Sequence, residues 1–454
     1  MVTGSMHLVE VGSTRVLLDC GMVQGKREDS RRRNDRFPFP TDQIDAVLIS
    51  HSHIDHCGNL PTLVRHGYTG PIYCTSATRD LLAVMLRDSA KIQEEDAAHL
   101  NILRQYAEPW VEPLYTQVDV DQTLDQCVPV RYHTDQVISP SMRCQFLPAG
   151  HVLGSAMLHL TLKGSKGERR LTFTGDLGRR GMPMLQPSDP IPPADVLVSE
   201  STYGNRTHEQ VSRTIEKLHA TIRTTYDRGG KVLIPAFSLG RIQLIIHYID
   251  LAIRQGHIPD MPIYVDSPLA ADVAGVYRDH PECLTAEMRA DRESGHGLFG
   301  EGRVRYIRKF EESVEVSRRP GPYILLAASG MCDAGRIVHH LKMHVDDPRC
   351  TVVLVSYQAP GTTGRRLLEP GPKVRIAGKD WNKWIDVVHL DGFSGHADRE
   401  DFLAYLTPLI GKIGKIRLIH GEREQADALS ETLRNLGFPD VGVPEPGEKV
   451  VIDW

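Results

Sequence analysis

The chain has no apolar run approaching the length of a membrane span, and no charged-then-apolar leader opens it. A membrane protein is therefore not expected. It also has no C-x-x-C pair: its eight cysteines (Cys20, Cys57, Cys74, Cys127, Cys144, Cys283, Cys332, Cys350) are scattered, and a reduced, cytoplasmic protein is the simplest reading. It lacks an excess of positive charge. The net charge of −5 means that the molecule as a whole is not a cationic nucleic-acid binder, although bound metal ions and a local basic groove can still supply a field for a polyanion. Internal repeats and low-complexity tracts are absent. What remains is an ordinary globular composition, 41% hydrophobic and 24% charged, over 454 residues, enough for two or three domains.

Short β-rich runs ending in turns alternate with helical segments. Strand-like runs fall at 14–19, 46–50, 171–174, 196–199, 232–235, 323–327, 351–356 and 416–419, and helix-like runs at 77–93, 211–226, 241–254, 334–343 and 422–436. This alternation predicts an α/β architecture. The stretch 28–40 is charged and then aromatic and Pro-rich, and reads as a surface loop followed by an anchor. Val2-Thr3-Gly4-Ser5 reads as the middle of a loop, so a strand is expected upstream of it.

The densest chemistry is His51-Ser52-His53-Ile54-Asp55-His56, directly after the apolar run Ala46-Val47-Leu48-Ile49. Neutral imidazoles and carboxylates together suit Zn²⁺, and two sets of such ligands suit two ions. No packing or turn requirement asks for this combination. Other ligand-type residues share one setting, an apolar strand or a Gly-rich turn followed by a single such side chain. They are His151 between Gly150 and Gly154, Asp176 after Thr174-Gly175, Glu200 after Val198-Ser199, His396 in Phe393-Ser394-Gly395-His396, and His420 after Leu418-Ile419. Ligands presented from several strand ends on one sheet edge converge without being close in sequence. Most of the 21 histidines lack that setting; His7 and His296, for example, read as surface or satisfied core residues. His339-His340 lies within a helical pattern, where neighbours face different directions, and is left out. Cys57 abuts the first cluster but reads as a small buried side chain.

These residues carry a resemblance. His51-Ser52-His53-Ile54-Asp55-His56, then His151, then Asp176, resemble the H-x-H-x-D-H…H…D signature of the metallo-β-lactamase fold, with Asp19 in Leu17-Leu18-Asp19-Cys20-Gly21 matching the acid that opens it. Glu200, His396 and His420 resemble motifs A, B and C of the β-CASP subfamily, which processes nucleic acids and includes the endonuclease that cleaves eukaryotic pre-mRNA 3′ ends, its bacterial and archaeal relatives, and ribonuclease J. The resemblance covers essentially the whole chain. It implies an α/β fold, a metallo-β-lactamase αββα sandwich with an inserted α/β β-CASP domain: residues 1–204 and 388–454 form the sandwich and 205–387 the insert, which the family fold sets over the metal cleft.

The resemblance also implies roles. His51, His53 and His151 hold a first zinc, Asp55, His56 and His420 a second, and Asp176 bridges; Mn²⁺ is the alternative working metal. Asp19 supports a ligand imidazole from outside the metal site. Cleavage is then two-metal hydroxide attack, with His396 as general acid and Glu200 as its partner, since a carboxylate beside an imidazole keeps it protonated near neutral pH. The expected substrate is single-stranded RNA, cut internally to 5′-phosphate and 3′-hydroxyl ends, and a homodimer is expected by analogy. Two turns of the insert offer a hydroxyl, helix-start amides and an arginine as phosphate seats: Ser238 with Arg241, and Ser329 with Arg336. Ordinary capping explains the two serines equally well. The basic run Arg303, Arg305, Arg308 and Lys309, with Tyr306 and Phe310 interleaved, reads as a solvated face neutralised by Glu311 and Glu312, and 361–366 stays unassigned. The rival readings are a DNA nuclease of the same fold, which His420 argues against, a small-molecule hydrolase, which has no use for a Glu200–His396 pair, and a scaffold that binds RNA without cutting it.

Overall fold

The computed structural model describes residues 4–25, 27–104, 110–165, 167–295 and 297–452. Val2, Thr3 and His296 lie outside them. The chain divides into two compact units, residues 1–207 with 396–454, and residues 208–395.

The first unit is built on two sheets. One has five strands in the order His7–Val11, Thr14–Leu18, Ala46–Leu48, Ile72–Thr75, Cys127–Val130. The other has seven, in the order Val441–Gly442, Ile413–Ile419, Ala194–Glu200, Gly167–Phe173, Ala156–Gly164, Met142–Pro148, Gln136–Ser139. Period-two alternation explains how each sheet serves two cores. Val16, Leu18, Ala46 and Leu48 of the first sheet meet Phe146, Leu158, Leu160, Phe173 and Val196 of the second in one inner cluster. Their alternates Leu17 and Val47 face outward, onto Leu60, Leu63, Leu82 and Leu86 of the helices Leu60–Arg65 and Ser76–Leu103. On the far side, Leu197, Ile416 and Leu418 face Phe402, Leu406, Leu429 and Leu433 of the helices Arg399–Leu406 and Arg423–Asn435. The layers are thus helix, sheet, sheet, helix, as the resemblance implies.

The second unit has a six-stranded sheet in the order Val304–Tyr306, Ile263–Asp266, Ile324–Ala327, Val232–Pro235, Thr351–Leu354, Asp386–His389, with every pairing parallel. Its central strands are buried along their whole length, as parallel strands covered on both faces must be. The sequence reading closes this unit at 387; the strand Asp386–His389 instead pairs throughout with Thr351–Leu354, which keeps it, and the turn after it, in the second unit to Gly395.

The stretch read as a loop over 28–40 contains the helix Arg27–Asn34. It has no apolar stripe to announce it. The helix is pinned by its last residue: the Asn34 side chain accepts from Val23 N at 2.7 Å and donates to Val23 O at 2.9 Å. Phe37 and Phe39 do anchor the chain after it, against the outer core of the first sheet. Among the described residues no helix is long and apolar enough to cross a membrane.

Candidate metal centre

Register brings the ligand-type residues of the first unit to one edge. Leu18 pairs in parallel with Leu48, so Asp19 and the turn carrying His51 and His53 leave adjacent strand ends. The short helix Ile54–Cys57 then presents Asp55 and His56. Glu200 pairs with Ile419, so His420 lies one residue beyond Glu200's partner, and Asp176 follows the neighbouring strand Gly167–Phe173. His151 stands in the connection between Met142–Pro148 and Ala156–Gly164, and His396 forms an isolated bridge with Gly178. Two non-glycine residues here adopt left-handed backbone, Asp19 at φ 58° and His420 at φ 47°, a cost that is characteristic of functional positions. Gly21 has to be glycine, because a Cβ there would lie 1.6 Å from the carbonyl oxygen of Asp55.

The side chains form two sets joined by one carboxylate. His53 Nδ1 lies 3.1 Å from His51 Nε2 and 3.3 Å from His151 Nε2, and Asp176 Oδ2 lies 3.5 Å from both Nε2 atoms. In the second set, His420 Nε2 lies 3.1 Å from His56 Nε2 and 3.3 Å from Asp55 Oδ2. Asp176 Oδ1 lies 3.2 Å from His56 Nε2 and 3.4 Å from His420 Nδ1. One Asp176 oxygen therefore faces each set. Within each set the potential ligand atoms lie within 4.8 Å of one another, the spacing a metal ion needs.

This donor set fits divalent metal. Asp176 Oδ1 is buried and accepts no well-aligned hydrogen bond, although a buried carboxylate oxygen is costly to leave unsatisfied. Imidazole nitrogens facing each other at hydrogen-bond distance are also lone pairs converging on a point, and a cation there satisfies all of them. Burial, with His56 adding to it, holds the His51 pKa well below the ordinary histidine value, and burial pulls His53 to about 4, so both rings present lone pairs at neutral pH. For His56 and His420 burial acts the same way but is outweighed by Asp176, with Asp19 assisting at His56 and Asp55 at His420, and both are raised. Asp176 itself is held well below the usual carboxylate range: burial pushes it up, and His420, His56 and His51 more than reverse that.

Around the sets stand groups that hold these side chains in place. Asp19, fully buried, accepts from Ser50 N and Ser50 Oγ at 2.8 Å each and from His56 Nδ1 at 2.7 Å. With its Nδ1 proton on Asp19, His56 turns Nε2 toward the second set, which fixes the tautomer a metal ligand needs. Glu200 is fully buried; its Oε1 accepts from Leu177 N at 2.6 Å and faces His396 Nδ1 at 3.4 Å. His396 is more exposed than its partner, with its side chain 22% accessible. Burial lowers its pKa, but the Glu200 carboxylate, with Asp176 and Asp55, outweighs that and raises it above the ordinary value.

Three family descriptions match the chain: a Beta-lactamase superfamily domain over residues 14–228, a Beta-Casp domain over 242–367, and a Zn-dependent metallo-hydrolase RNA specificity domain over 385–444. Ribonuclease TTHA0252 of Thermus thermophilus is 37% identical over 99% of this chain and 97% of its own length. The chain belongs to the β-CASP family of metallo-β-lactamase-fold hydrolases. As a β-CASP member it is a metal-dependent nuclease. Other relatives are the transcription termination factors FttA of Methanosarcina mazei, 31% identical over 94% of this chain and 66% of that protein, and of Methanocaldococcus jannaschii, 32% identical over 96% and 68%.

In the β-CASP unit, three residues expected to seat phosphate are engaged with their own fold. The Ser238 hydroxyl is buried and lies 3.0 Å from Ser267 Oγ. Arg241 donates to the carbonyl of Val355. Arg336 donates to the buried Asp266 and to the carbonyls of Ile307 and Arg308. These contacts tie all three side chains to their own unit. Ser329 lies in the turn after Ile324–Ala327, its backbone nitrogen bonded to Ala334 O at 3.1 Å. The three arginines of the basic run are ion-paired, though mainly with other partners than those read from sequence: Asp250 and Asp260 for Arg303, Asp272 for Arg308, Glu312 for Arg305. Cys57 is buried, its thiol 3.4 Å from Ser52 O. One residue passed over in the sequence stands beside the metal centre. His7 pairs with Leu18 and lies 3.3 Å through Nε2 from Ser5 Oγ, and burial with the nearby His56 and His420 lowers its pKa to about 4. Strand pairing reveals it: His7 opens its strand rather than following one, unlike the ligand-type residues singled out in the sequence.

Proposed function

We propose that the chain is a zinc-dependent endoribonuclease acting on single-stranded RNA, with two zinc ions in its metal centre. His51, His53 and His151 hold one ion, Asp55, His56 and His420 the other, and Asp176 serves both. The observation that carries this reading is the Asp176 carboxylate, whose two oxygens face two separate sets of ligand atoms. Bound zinc ions supply Lewis acidity toward a phosphodiester and activate water near neutral pH. The chain's own residues do the rest. Asp19 holds His56 in one tautomer. Glu200 holds His396 through Nδ1 and keeps the ring protonated, so the imidazolium can deliver its proton from Nε2 to the departing 3′-oxygen, leaving a 3′-hydroxyl and a 5′-phosphate. The relative named as a ribonuclease and the matched RNA specificity domain support RNA as the substrate.

The test is cleavage of 5′- and 3′-labelled single-stranded RNA, and of the matched DNA strand, with and without chelator. The expected result is internal RNA cuts bearing 5′-phosphates, abolished by chelation, with His396→Ala retaining both metals and losing turnover by about 10²-fold or more. Cleavage that persists in chelator, or full turnover by His396→Ala, contradicts the mechanism; preferential cutting of DNA contradicts the substrate.

A further inference from the structure

Three neighbouring strands of the second unit, Ile324–Ala327, Val232–Pro235 and Thr351–Leu354, run parallel and end together. The carboxyl edge of such a sheet is where open α/β folds bind ligands. Here the edge carries two large rings in the open. Phe237 is 44% exposed and Tyr357 42% exposed, each only a few residues past its strand. Among the described residues neither ring stacks on another aromatic side chain, and the Tyr357 hydroxyl has no hydrogen-bond partner. The exposed Phe310, by contrast, already rests edge-on against His339 at 5.8 Å.

Between the two turns lies Gly330. A Cβ there would meet the Phe237 ring at 3.1 Å and Ser356 Oγ at 3.2 Å, so any side chain would displace the ring. Gln358, next to Tyr357, donates to Gly330 O at 3.0 Å and fixes this floor. Against Gln358 packs Gly364, at the start of the helix Thr363–Leu368. The next residue, Arg365, is exposed, and its guanidinium makes no ion pair among the described residues. Arg366, one residue on, is by contrast tied to Thr363, Gly361 O and Arg375 O. Exposed rings cost solvation, and the unpaired Arg365 follows directly on the Gly364 that abuts Gln358, the neighbour of Tyr357. Aromatic faces with an adjacent cation are the chemistry that binds single-stranded nucleic acid, where bases stack and phosphates are met by charge.

We propose that Phe237 and Tyr357, floored by Gly330 and flanked by Arg365, form a platform on which unstacked bases of single-stranded RNA lie. The proposal rests on the ribonuclease reading above. It moves recognition from the engaged Arg241 and Arg336 to the residues beside them.

The experiment uses the full-length zinc-loaded protein with a short single-stranded RNA and with the same strand carrying abasic riboses. On the intact strand, Phe237→Leu and Tyr357→Leu each raise KM about five-fold or more, and Phe237→Trp restores it. On the abasic strand the wild type already shows the raised KM, and the leucine variants add nothing. Unchanged KM in both leucine variants overturns the platform. An equal rise on both strands also overturns it, and assigns the rings to a structural role or to another occupant such as a second copy of the chain. A wild type that cleaves DNA but no RNA overturns the ribonuclease reading and the platform with it, a result distinct from either of those.

Discussion

At the residue scale, the two oxygens of Asp176 face two separate sets of ligand-type side chains. Its neighbours divide the remaining work by charge. Asp19 spends its charge on one ring nitrogen of His56, and Glu200 spends its charge on His396. The second pairing gives a pH prediction with a definite sign. Glu200 raises the His396 pKa, so proton donation is complete below that raised value and is lost as pH rises through it. Glu200→Gln keeps an acceptor for Leu177 N but removes the charge. The falling limb of kcat/KM against pH then moves to lower pH, with metal content unchanged. A limb that stays in place shows that another group delivers the proton. The residues that the structure gathers into the two sets were legible in the sequence as ligand types, because most of them follow an apolar strand or a glycine turn. His7 was not, because it enters the site only through its pairing with Leu18.

At the element scale, the helix Arg399–Leu406 sets the position of His396. Asp398 caps it, accepting from Glu400 N at 2.9 Å and Asp401 N at 3.0 Å, and the Asp401 side chain accepts in turn from Asp398 N at 3.2 Å. Tyr405 on the same helix donates to Gly178 O, and Gly178 bridges to His396. Losing such a cap costs about 1 kcal/mol of stability. Asp398→Ala is therefore expected to lower the melting temperature by about one or two degrees and to lower kcat, while zinc content stays at the wild-type value; loss of zinc with unchanged kcat contradicts this placement. Elements with an unbroken apolar pattern, such as Val232–Pro235 and Arg241–Arg254, were read from sequence with the bounds the structure has. Those missed have a physical reason. Arg27–Asn34 has no apolar stripe, and Ile263–Asp266 ends in an acid that the fold pairs with Arg336 and His340, far away in the chain. The helix Ser76–Leu103 runs ten residues past its expected end at 93, because its last turns bury little beyond Ala97 and Asn101 and so lose the pattern.

At the scale of the whole molecule, a chain of net charge −5 acts on a polyanion, and the account makes bound cations the source of the compensating field. The layered order of the first unit followed from the family resemblance, and the α/β character of the second from strand and helix alternation together with it. The partner of Arg336 was not legible, since whether an arginine pairs with a buried carboxylate such as Asp266 depends on contacts between segments far apart in the chain. The central claim is that two ions sit on either side of Asp176. Zinc content per chain, measured by elemental analysis on the wild type, Asp55→Ala and Asp176→Ala after equilibrium dialysis against dilute zinc, tests it most directly. The account predicts about two zinc ions in the wild type, about one in Asp55→Ala with the His51–His53–His151 set still filled, and loss of both from Asp176→Ala. A wild type that binds a single zinc, or an Asp176→Ala chain that keeps two, contradicts it.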